Sequence, residues 1–178
     1  TDNSSGTKVR FVDFVDRTIR LSGTERSLRA WTGGADGASY WDSSGNPLNL
    51  QQLWYVKANT NAGYIRPKYG QVYKSRVFLG GDSVDPDRVY FSSIITSTGL
   101  ITWTPSLDYV DINPDDGENI TALGKYGLEL LMFKPNYIYR FRSVGIDPEP
   151  LIKVGTRSQE SIVEGKRGLY FHHDSGFY

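Results

Sequence analysis

The sequence predicts an all-β protein built from repeated antiparallel four-stranded meanders, as a β-propeller or a partial propeller. Three observations support this fold class. No extended segment combines helical periodicity with capping residues. Aromatic residues make up 13% of the chain and include twelve Tyr and four Trp, which suit half-buried strands better than helices. Nineteen Gly and eight Pro supply the turns that many short strands require.

The most regular stretch is a predicted meander from Tyr109 to Phe141. Its turn clusters lie at Asn113 to Gly117, at Gly124 to Gly127 and at Lys134 to Asn136. The segments between these turns are apolar or aromatic and short enough for buried strands. Such strands bury one face against another sheet or against copies of their own unit.

A weaker copy of the meander is predicted from Leu151 to Tyr178, where Gly168-Leu169 takes the place of Gly127-Leu128. Its strands are expected at residues 151–154, 160–163, 167–171 and 177–178. Repeats of about 40–50 residues with four strands are typical of propeller blades. The sequence therefore predicts a single propeller-like domain over residues 1–178, with about four blades, complete or as a fragment of a larger ring. The predicted core residues are Leu128, Leu130, Leu131, Phe133, Ile138 and Leu169.

The residues before Tyr109 are predicted to form the strands of earlier blades. A hairpin is predicted within residues 8–31, with one strand at residues 16–21, where apolar and polar residues alternate, and the other at residues 28–31. A strand pair from Tyr69 to Leu79 has its turn near Lys74-Ser75. Further strands are expected at residues 53–56, 89–92 and 100–103. Residues 32–49 are predicted to form a long loop around Tyr40-Trp41.

Charge and composition argue against several classes of protein. The formal net charge is zero and no basic block stands out, so bulk electrostatics favour neither sequence-specific nucleic-acid binding nor an anionic membrane surface. No apolar run reaches the length of about 18 residues that marks a membrane-spanning helix. The chain has no Cys, which excludes disulfides, Cys-ligated metals and Cys nucleophiles.

Four successive motifs resemble the propeller-like structural proteins of tailed bacteriophages, found in necks, tail nozzles and DNA-stabilising plugs. The motifs are Tyr73 to Gly81; Asp85 to Ser92 followed by Trp103; Asp115 to Leu123; and Leu130 to Lys134 followed by Tyr137 to Tyr139. The resemblance covers residues 69–178, with a looser echo at residues 11–31, and the order of the motifs carries it. It implies a structural virion component without catalysis, and it transfers no functional residue.

Acidic turns give two candidate calcium sites, and neither fits the required pattern. Asp111, Asn113 and Asp115 stand at alternate positions, as ligands do in a calcium-binding loop. The glycine comes one place late at Gly117, and Ala122 occupies the twelfth position, where a bidentate Glu is needed. An Asp- and Asn-rich turn is the better interpretation, and the same holds for Asp82, Asp85 and Asp87.

Catalytic and cofactor motifs are equally weak. Ser97 to Trp103 resembles the Asp-box turn of sialidase propellers, but the Asp is missing and the Gly is displaced. His172 and His173 are adjacent, and neighbouring side chains on a strand point to opposite faces, so both cannot bind one metal ion without a turn. No Gly-rich phosphate loop and no nucleophile elbow is present. We therefore predict no catalytic residue, no cofactor and no metal site.

Two classes of function remain open at this point. The first is a non-enzymatic structural component of a phage or prophage particle, which acts through contacts with other virion proteins and is localised in the virion after assembly in the host cytoplasm. The second is a lectin-like propeller that binds glycans, with a glycosidase as a remoter version. The possible ligand or interaction aromatics for that alternative are Trp31, Tyr40, Trp41 and Trp54.

The two ends of the chain favour a fragment over a closed ring. The first unit has only its later strands, Thr1 is not an initiator Met, and the last unit stops at Phe177-Tyr178. A truncated array would leave Tyr170, Phe171 and Phe177 beside unpaired strand edges. We therefore predict homo-oligomers formed by edge pairing or strand exchange.

Overall fold

The computed structural model describes residues 8–14, 17–21, 23, 29–31, 66–94 and 108–178. These residues form fifteen short strands and one 3-10 helix. The predicted loop at 32–49, the predicted strands at 53–56 and 100–103, and the turn at 97–99 lie outside the described residues. Among the described residues, no helix is long and apolar enough to cross a membrane.

The first sheet contains β1 (Arg10–Phe14), β2 (Arg17–Leu21) and β3 (Arg29–Trp31), in that order. Each strand pairs antiparallel with the next along the chain. Val12, Phe14, Ile19 and Leu21 are buried on β1 and β2, whereas Phe11 is 64% exposed. The predicted hairpin of strands at residues 16–21 and 28–31 is therefore present as β2 and β3, and β1 adds a third strand that the sequence did not predict. The buried apolar side chains of β1 and β2 share one face, and Phe11 lies on the other face.

The second sheet is a four-stranded meander of β4 (Tyr69–Tyr73), β5 (Arg76–Gly80), β6 (Arg88–Phe91) and β7 (Tyr109–Asp111). Its first hairpin pairs Tyr73 with Arg76 around the two-residue turn Lys74-Ser75. Both turn residues have positive φ angles, of 45° and 58°. Positive φ at both positions matches the twist of the strands in a tight hairpin, so the predicted turn is confirmed.

The third sheet repeats this arrangement with β8 (Ala122–Tyr126), β9 (Glu129–Phe133), β10 (Ile138–Phe141) and β11 (Glu149–Ile152). The predicted break at 124–127 starts too early, because β8 continues to Tyr126, which pairs with Glu129. Gly127 alone takes the positive φ, of 57°. Leu128 follows it in the turn and is 82% exposed, so the prediction that Leu128 is a core residue is wrong.

The C-terminal residues do not form the predicted second copy of the four-stranded meander. Residues 151–152 belong to β11, the outer strand of the third sheet, where Ile152 pairs with Ile138. The 3-10 helix Gln159–Ser161 follows, and then two separate hairpins. These are β12 (Val163–Glu164) with β13 (Leu169–Tyr170), and β14 (His172–His173) with β15 (Gly176–Phe177). The strand that was predicted at residues 151–154 as the first strand of the second copy is therefore the last strand of the third sheet.

Three apolar layers hold the units together. The first layer lies between the first and second sheets and includes Leu21, Leu79 and Tyr90. The second layer joins the second and third sheets through side chains such as Phe78 and Phe141. The rings of these two residues pack edge-to-face, with their centres 5.5 Å apart. The third covers the other face of the third sheet with the C-terminal hairpins. Its members include Ala122, Leu131, Phe133, Ile138 and Phe171, with Val154, Ile162 and Leu169 packed against them.

Strand β9 explains why an unbroken apolar run marks a buried strand. Leu130 and Met132 belong to the second apolar layer, whereas Leu131 and Phe133 belong to the third. A strand that is buried on both faces has no polar positions to alternate with. The core predictions for Leu130, Leu131, Phe133 and Ile138 are confirmed, and Leu169 is half-buried against the third layer.

The fold class is therefore all-β, with repeated antiparallel meanders of four strands and almost no helix. The sheets follow one another along the chain, and each packs face to face on the next. In the described residues they form no closed barrel or ring. The antiparallel repeat is confirmed, and its closure into a propeller belongs to the proposed function below.

Candidate functional site

Lys134, directly after β9, is the central residue of a buried charge cluster. Its side chain is 0% exposed. The ammonium Nζ donates hydrogen bonds to Asp87 Oδ1 at 2.7 Å, to Asp116 Oδ1 at 2.8 Å and to the carbonyl of Asn113 at 3.1 Å. An ammonium has three N–H donors, so every donor has a partner. These four residues are called the Lys134 cluster from here on.

The Lys134 cluster joins three connections between strands of the second and third sheets, and Lys134 itself lies in the connection between β9 and β10. Asp87 lies between β5 and β6, and Asp116 lies between β7 and β8. Two backbone bonds run beside the ion pairs, from the Ile112 N–H to the Asp87 carbonyl and from the Ile120 N–H to the Pro86 carbonyl, both at 2.9 Å. The cluster therefore fastens the second sheet to the third.

The loop that contains Asp116 has a backbone shape suited to its residues. Asn113, Asp115 and Gly117 have φ angles of 43°, 65° and 77°, and Asn, Asp and Gly enter this left-handed region most easily. The Asp116 carboxylate also accepts hydrogen bonds from Asn113 Nδ2 at 2.8 Å and from the Glu118 N–H at 2.9 Å. Partial burial acts to raise the pKa of Asp116, but the hydrogen bonds from Lys134, Glu118 and Asn113 outweigh it and lower the pKa.

A glycine keeps the turn after Lys134 in place. The Lys134 N–H donates to the Tyr137 carbonyl at 2.9 Å, and the Lys134 carbonyl accepts from the Thr156 N–H at 3.2 Å. A Cβ atom at Gly155 would collide with the Lys134 carbonyl oxygen. Only glycine allows the chain after β11 to pass this close to the turn.

A second ion pair lies across β6 and β7. Arg88 and Asp111 are direct partners in the strand register. Their side chains form a bidentate pair, with Nε to Oδ1 at 2.7 Å and Nη2 to Oδ2 at 3.0 Å. The guanidinium also lies 3.8 Å from the centre of the Tyr109 ring. The hydrogen bond from Asp111 raises the pKa of Arg88 above its usual value.

A groove runs beside the Lys134 cluster, between the outer parts of the second and third sheets. Its cavity volume is about 620 Å³. The rings of Tyr137 and Tyr139 lie on its wall with their centres 6.1 Å apart. We call it the tyrosine groove. Its lining residues are Asp111, Asn113, Asp116, Glu118, Tyr137, Tyr139, Asp147, Pro148, Pro150 and Lys153.

The C-terminal segment contacts the first and third sheets. The Gln159 side-chain amide accepts from the Leu123 N–H and donates to the Leu123 carbonyl, both at 2.8 Å, on the edge strand β8. Glu160 pairs with Lys8 at 3.0 Å and with Arg10 of β1 at 2.6 Å. Burial acts to raise the pKa of Glu160, but hydrogen bonds that include those from Lys8, Ser158 and Arg10 lower it to about 2. This segment therefore bridges strands that are distant in sequence.

The acidic turns pair with protein groups. Asp111 binds Arg88 and the Asn113 carbonyl binds Lys134. Asp82 accepts from the Arg66 N–H at 3.3 Å, and Asp85 accepts from the Tyr90 hydroxyl at 2.9 Å. The described residues contain no group of three or more His, Cys, Asp or Glu side chains that could hold a metal ion.

In the described part of the chain, the histidines and aromatic residues that the sequence singled out do not form one site. His172 and His173 form the short strand β14, where the His172 ring packs edge-on against Phe177 at 5.1 Å and His173 Nδ1 bonds to Ser175 Oγ at 2.7 Å. Trp31 ends β3. Tyr40, Trp41 and Trp54 lie outside the described residues, so the predicted aromatic platform stays a prediction.

Two of the residues expected beside an unpaired strand edge are exposed, and the third is not. Tyr170 is 51% exposed and Phe177 is 87% exposed, whereas Phe171 is only 7% exposed. The Phe171 ring meets the Phe133 ring edge-on at 5.5 Å, and its backbone exchanges two hydrogen bonds with Tyr178. The expectation that Phe171 lies at an open edge is therefore wrong, because it closes a hairpin and covers the third sheet.

Sequence reasoning missed the Lys134 cluster and the tyrosine groove. A usable signal was present, because Lys134 directly follows the apolar run Leu130 to Phe133, where a charge needs buried partners. The two acidic stretches that supply those partners are interpreted above as Asp- and Asn-rich turns, an interpretation that does not assign them a buried cation as partner. No comparable signal marks the groove, because its lining comes from strands and connections of two sheets that meet only in the folded chain.

Comparisons with known proteins give no family. No family model matches the sequence, and no curated protein matches it. Among solved structures, the computationally designed Ika8 protein is similar to 93% of this chain, with 14% sequence identity and a TM-score of 0.46. The chain spans 42% of the length of that designed protein.

Proposed function

We propose that this chain is a non-enzymatic structural component of a phage or prophage particle, in the neck or tail, where a β-propeller-like domain acts through protein–protein contacts. The observation that most supports the propeller-like domain is the strand order within the sheets. β1, β4 and β8 are each the first strand and one edge of their sheet. β4 contacts both β1 and β8. In a β-propeller, four-stranded blades are arranged around a central channel, so contacts between the first strands of successive sheets suit that arrangement.

The charge cluster supports a structural use of the phage-like motifs. Asp87 comes from the motif at 85–92, Asp116 from the motif at 115–123, and Lys134 ends the apolar strand of the last motif. All of these charges meet in one buried cluster. The charged residues of the motif succession thus hold neighbouring sheets together, which suits a scaffold better than a catalytic site.

Exposed apolar side chains supply surfaces for the proposed protein contacts. Leu128 on the β8–β9 turn and Phe177 on the last hairpin are 82% and 87% exposed, and Val163 is 60% exposed. Burial of exposed apolar surface favours protein–protein association. We propose that other virion proteins, or further copies of this chain, cover these groups. Sedimentation velocity should then detect association that Phe177→Ser weakens, and a strict monomer at high concentration would count against self-association.

Purified particles test the proposed location. Tailed particles banded on a density gradient should contain this chain at a fixed copy number by quantitative mass spectrometry, and gold-labelled antibody should mark the neck or tail. Disruption of the gene should produce particles that lack a complete tail or lose DNA. Normal, infectious particles without the chain would refute the proposal.

A further inference from the structure

We propose that the tyrosine groove binds a neutral oligosaccharide. The groove is defined by its ten lining residues and lies between the second and third sheets. This inference does not depend on the proposed place of the chain in a phage particle, because it rests on the groove alone. It also places the binding aromatic at Tyr137, in the described part of the chain, with the buried Tyr139 ring beside it.

The size and wall of the groove suit a sugar. Its volume of about 620 Å³ lies within the range of small-molecule sites, about 300–1,000 Å³. Tyr137 is half-buried and Tyr139 is 6% exposed, and their rings are inclined at 36° to each other. The C–H face of a pyranose ring carries partial positive charge, so it packs favourably on the negative face of an aromatic ring.

Three polar groups on the groove remain available for a ligand. In the described part of the chain, the Asp147 carboxylate, the Lys153 ammonium and the Tyr137 hydroxyl have no hydrogen-bond or ion-pair partner. The carboxylates of Asp111 and Asp116 differ, because Arg88 and Lys134 already hold them. The free groups therefore include an acceptor, a donor and a hydroxyl that does both. A sugar hydroxyl both donates and accepts, so it can bond to any of these three groups.

The charge of the groove selects against anionic sugars. Among the described residues, four carboxylates line it, from Asp111, Asp116, Glu118 and Asp147, and Lys153 is the single basic residue. Burial and then the neighbouring charge of Asp116 raise the pKa of Tyr139, which is the response expected beside negative charge. Arg88 and Lys134 pair with Asp111 and Asp116, so the charge that remains comes from Glu118 and Asp147 against Lys153 and is negative. This charge disfavours sulfated or carboxylated sugars and leaves neutral sugars unaffected.

A cationic peptide fits the groove less well than a neutral sugar. Arg88 and Lys134 already neutralise two of the four carboxylates, and the Glu118 carboxylate accepts hydrogen bonds from Asn136. Lys153 stands among the lining residues and would repel an incoming Lys or Arg side chain. Binding of a basic peptide without binding of a neutral sugar would therefore contradict the proposal.

Calorimetric titration with defined probes tests the proposal on the whole chain. The probes are maltohexaose, cellohexaose, chitohexaose and mannohexaose, with a heparin hexasaccharide and hexalysine as contrasting ligands. At least one neutral hexasaccharide should bind with a Kd between about 10 μM and 1 mM. Tyr137→Ala should weaken that affinity by about tenfold or more, and Asp147→Ala by severalfold. Tyr170→Ala is the matched control and should leave the affinity unchanged.

Asp147→Ala also separates binding from folding. Tyr137 packs partly against the second apolar layer, so its loss can also destabilise the chain, whereas Asp147 is exposed. A weakened affinity in a normally folded Asp147→Ala variant supports the groove. The proposal is overturned if none of the four neutral sugars binds at millimolar concentration, if both variants bind as the wild type does, or if only heparin or hexalysine binds.

Discussion

Replacement of Lys134 by Met should destabilise the chain strongly, although Met has a similar length and no charge. The change leaves the Asp87 and Asp116 carboxylates facing each other without the ammonium that both now contact within 2.8 Å. Removal of one partner from a buried ion pair costs about 3–5 kcal/mol. The two carboxylates are 19% and 18% exposed, so water relieves part of that cost. We therefore expect a loss of about 3 kcal/mol in the free energy of unfolding.

Urea denaturation followed by intrinsic fluorescence measures this loss. Lys125→Met is the matched control, because Lys125 lies exposed on β8 and should change the free energy of unfolding by less than about 0.5 kcal/mol. The triple variant Lys134→Met, Asp87→Asn, Asp116→Asn removes the unpaired charges as well. It should recover most of the loss, since the penalty comes from isolated buried charge and not from the missing ion pair itself.

The pH dependence gives an independent readout of the same cluster. The folded-state pKa of Asp116 lies below its ordinary value of 3.8. Its contribution is therefore present above that value and is lost as the pH falls through and below it. The difference between wild type and Lys134→Met should shrink in acid, because protonation removes the carboxylate repulsion. An unfolding midpoint and slope equal to wild type at neutral pH would refute this account of the cluster.

Three further predictions follow from the packing. Leu130→Ala should cost about 2–5 kcal/mol in urea melts, whereas Leu128→Ala should cost less than about 0.5 kcal/mol; equal losses would contradict the strand boundaries. Gly155→Ala should lower the melting temperature in calorimetry, because its methyl group meets the Lys134 carbonyl, and an unchanged melting temperature would mean that this close approach is absent. Glu160→Gln should melt below wild type at neutral pH, and the gap should narrow as the pH falls from about 4.5 towards 2, since the pKa of Glu160 is lowered to about 2; a gap independent of pH would count against the ion pairs.

The sequence alone determined the fold class and most hairpins of the described residues. The turn at Lys74-Ser75 and the apolar run at Leu130 to Phe133 are local signals, which reside in a few neighbouring residues and need no tertiary contact to be read. The same local signals wrongly predicted Leu128 as a core residue, one position before the start of β9. The local sequence does not separate the turn from the start of the strand, because the two differ in backbone angles, and here Gly127 takes a positive φ.

Tertiary structure decided how the units combine and where the charges pair. Residues 151–152 belong to the third sheet, where Ile152 pairs with Ile138 of β10. The last residues form two hairpins, and these pack against one face of that sheet. Lys134 and its partners Asp87 and Asp116 are far apart in sequence, so no periodicity predicts their contact. Only the face-to-face stacking of two sheets brings them within hydrogen-bond distance, and the same stacking forms the tyrosine groove beside them.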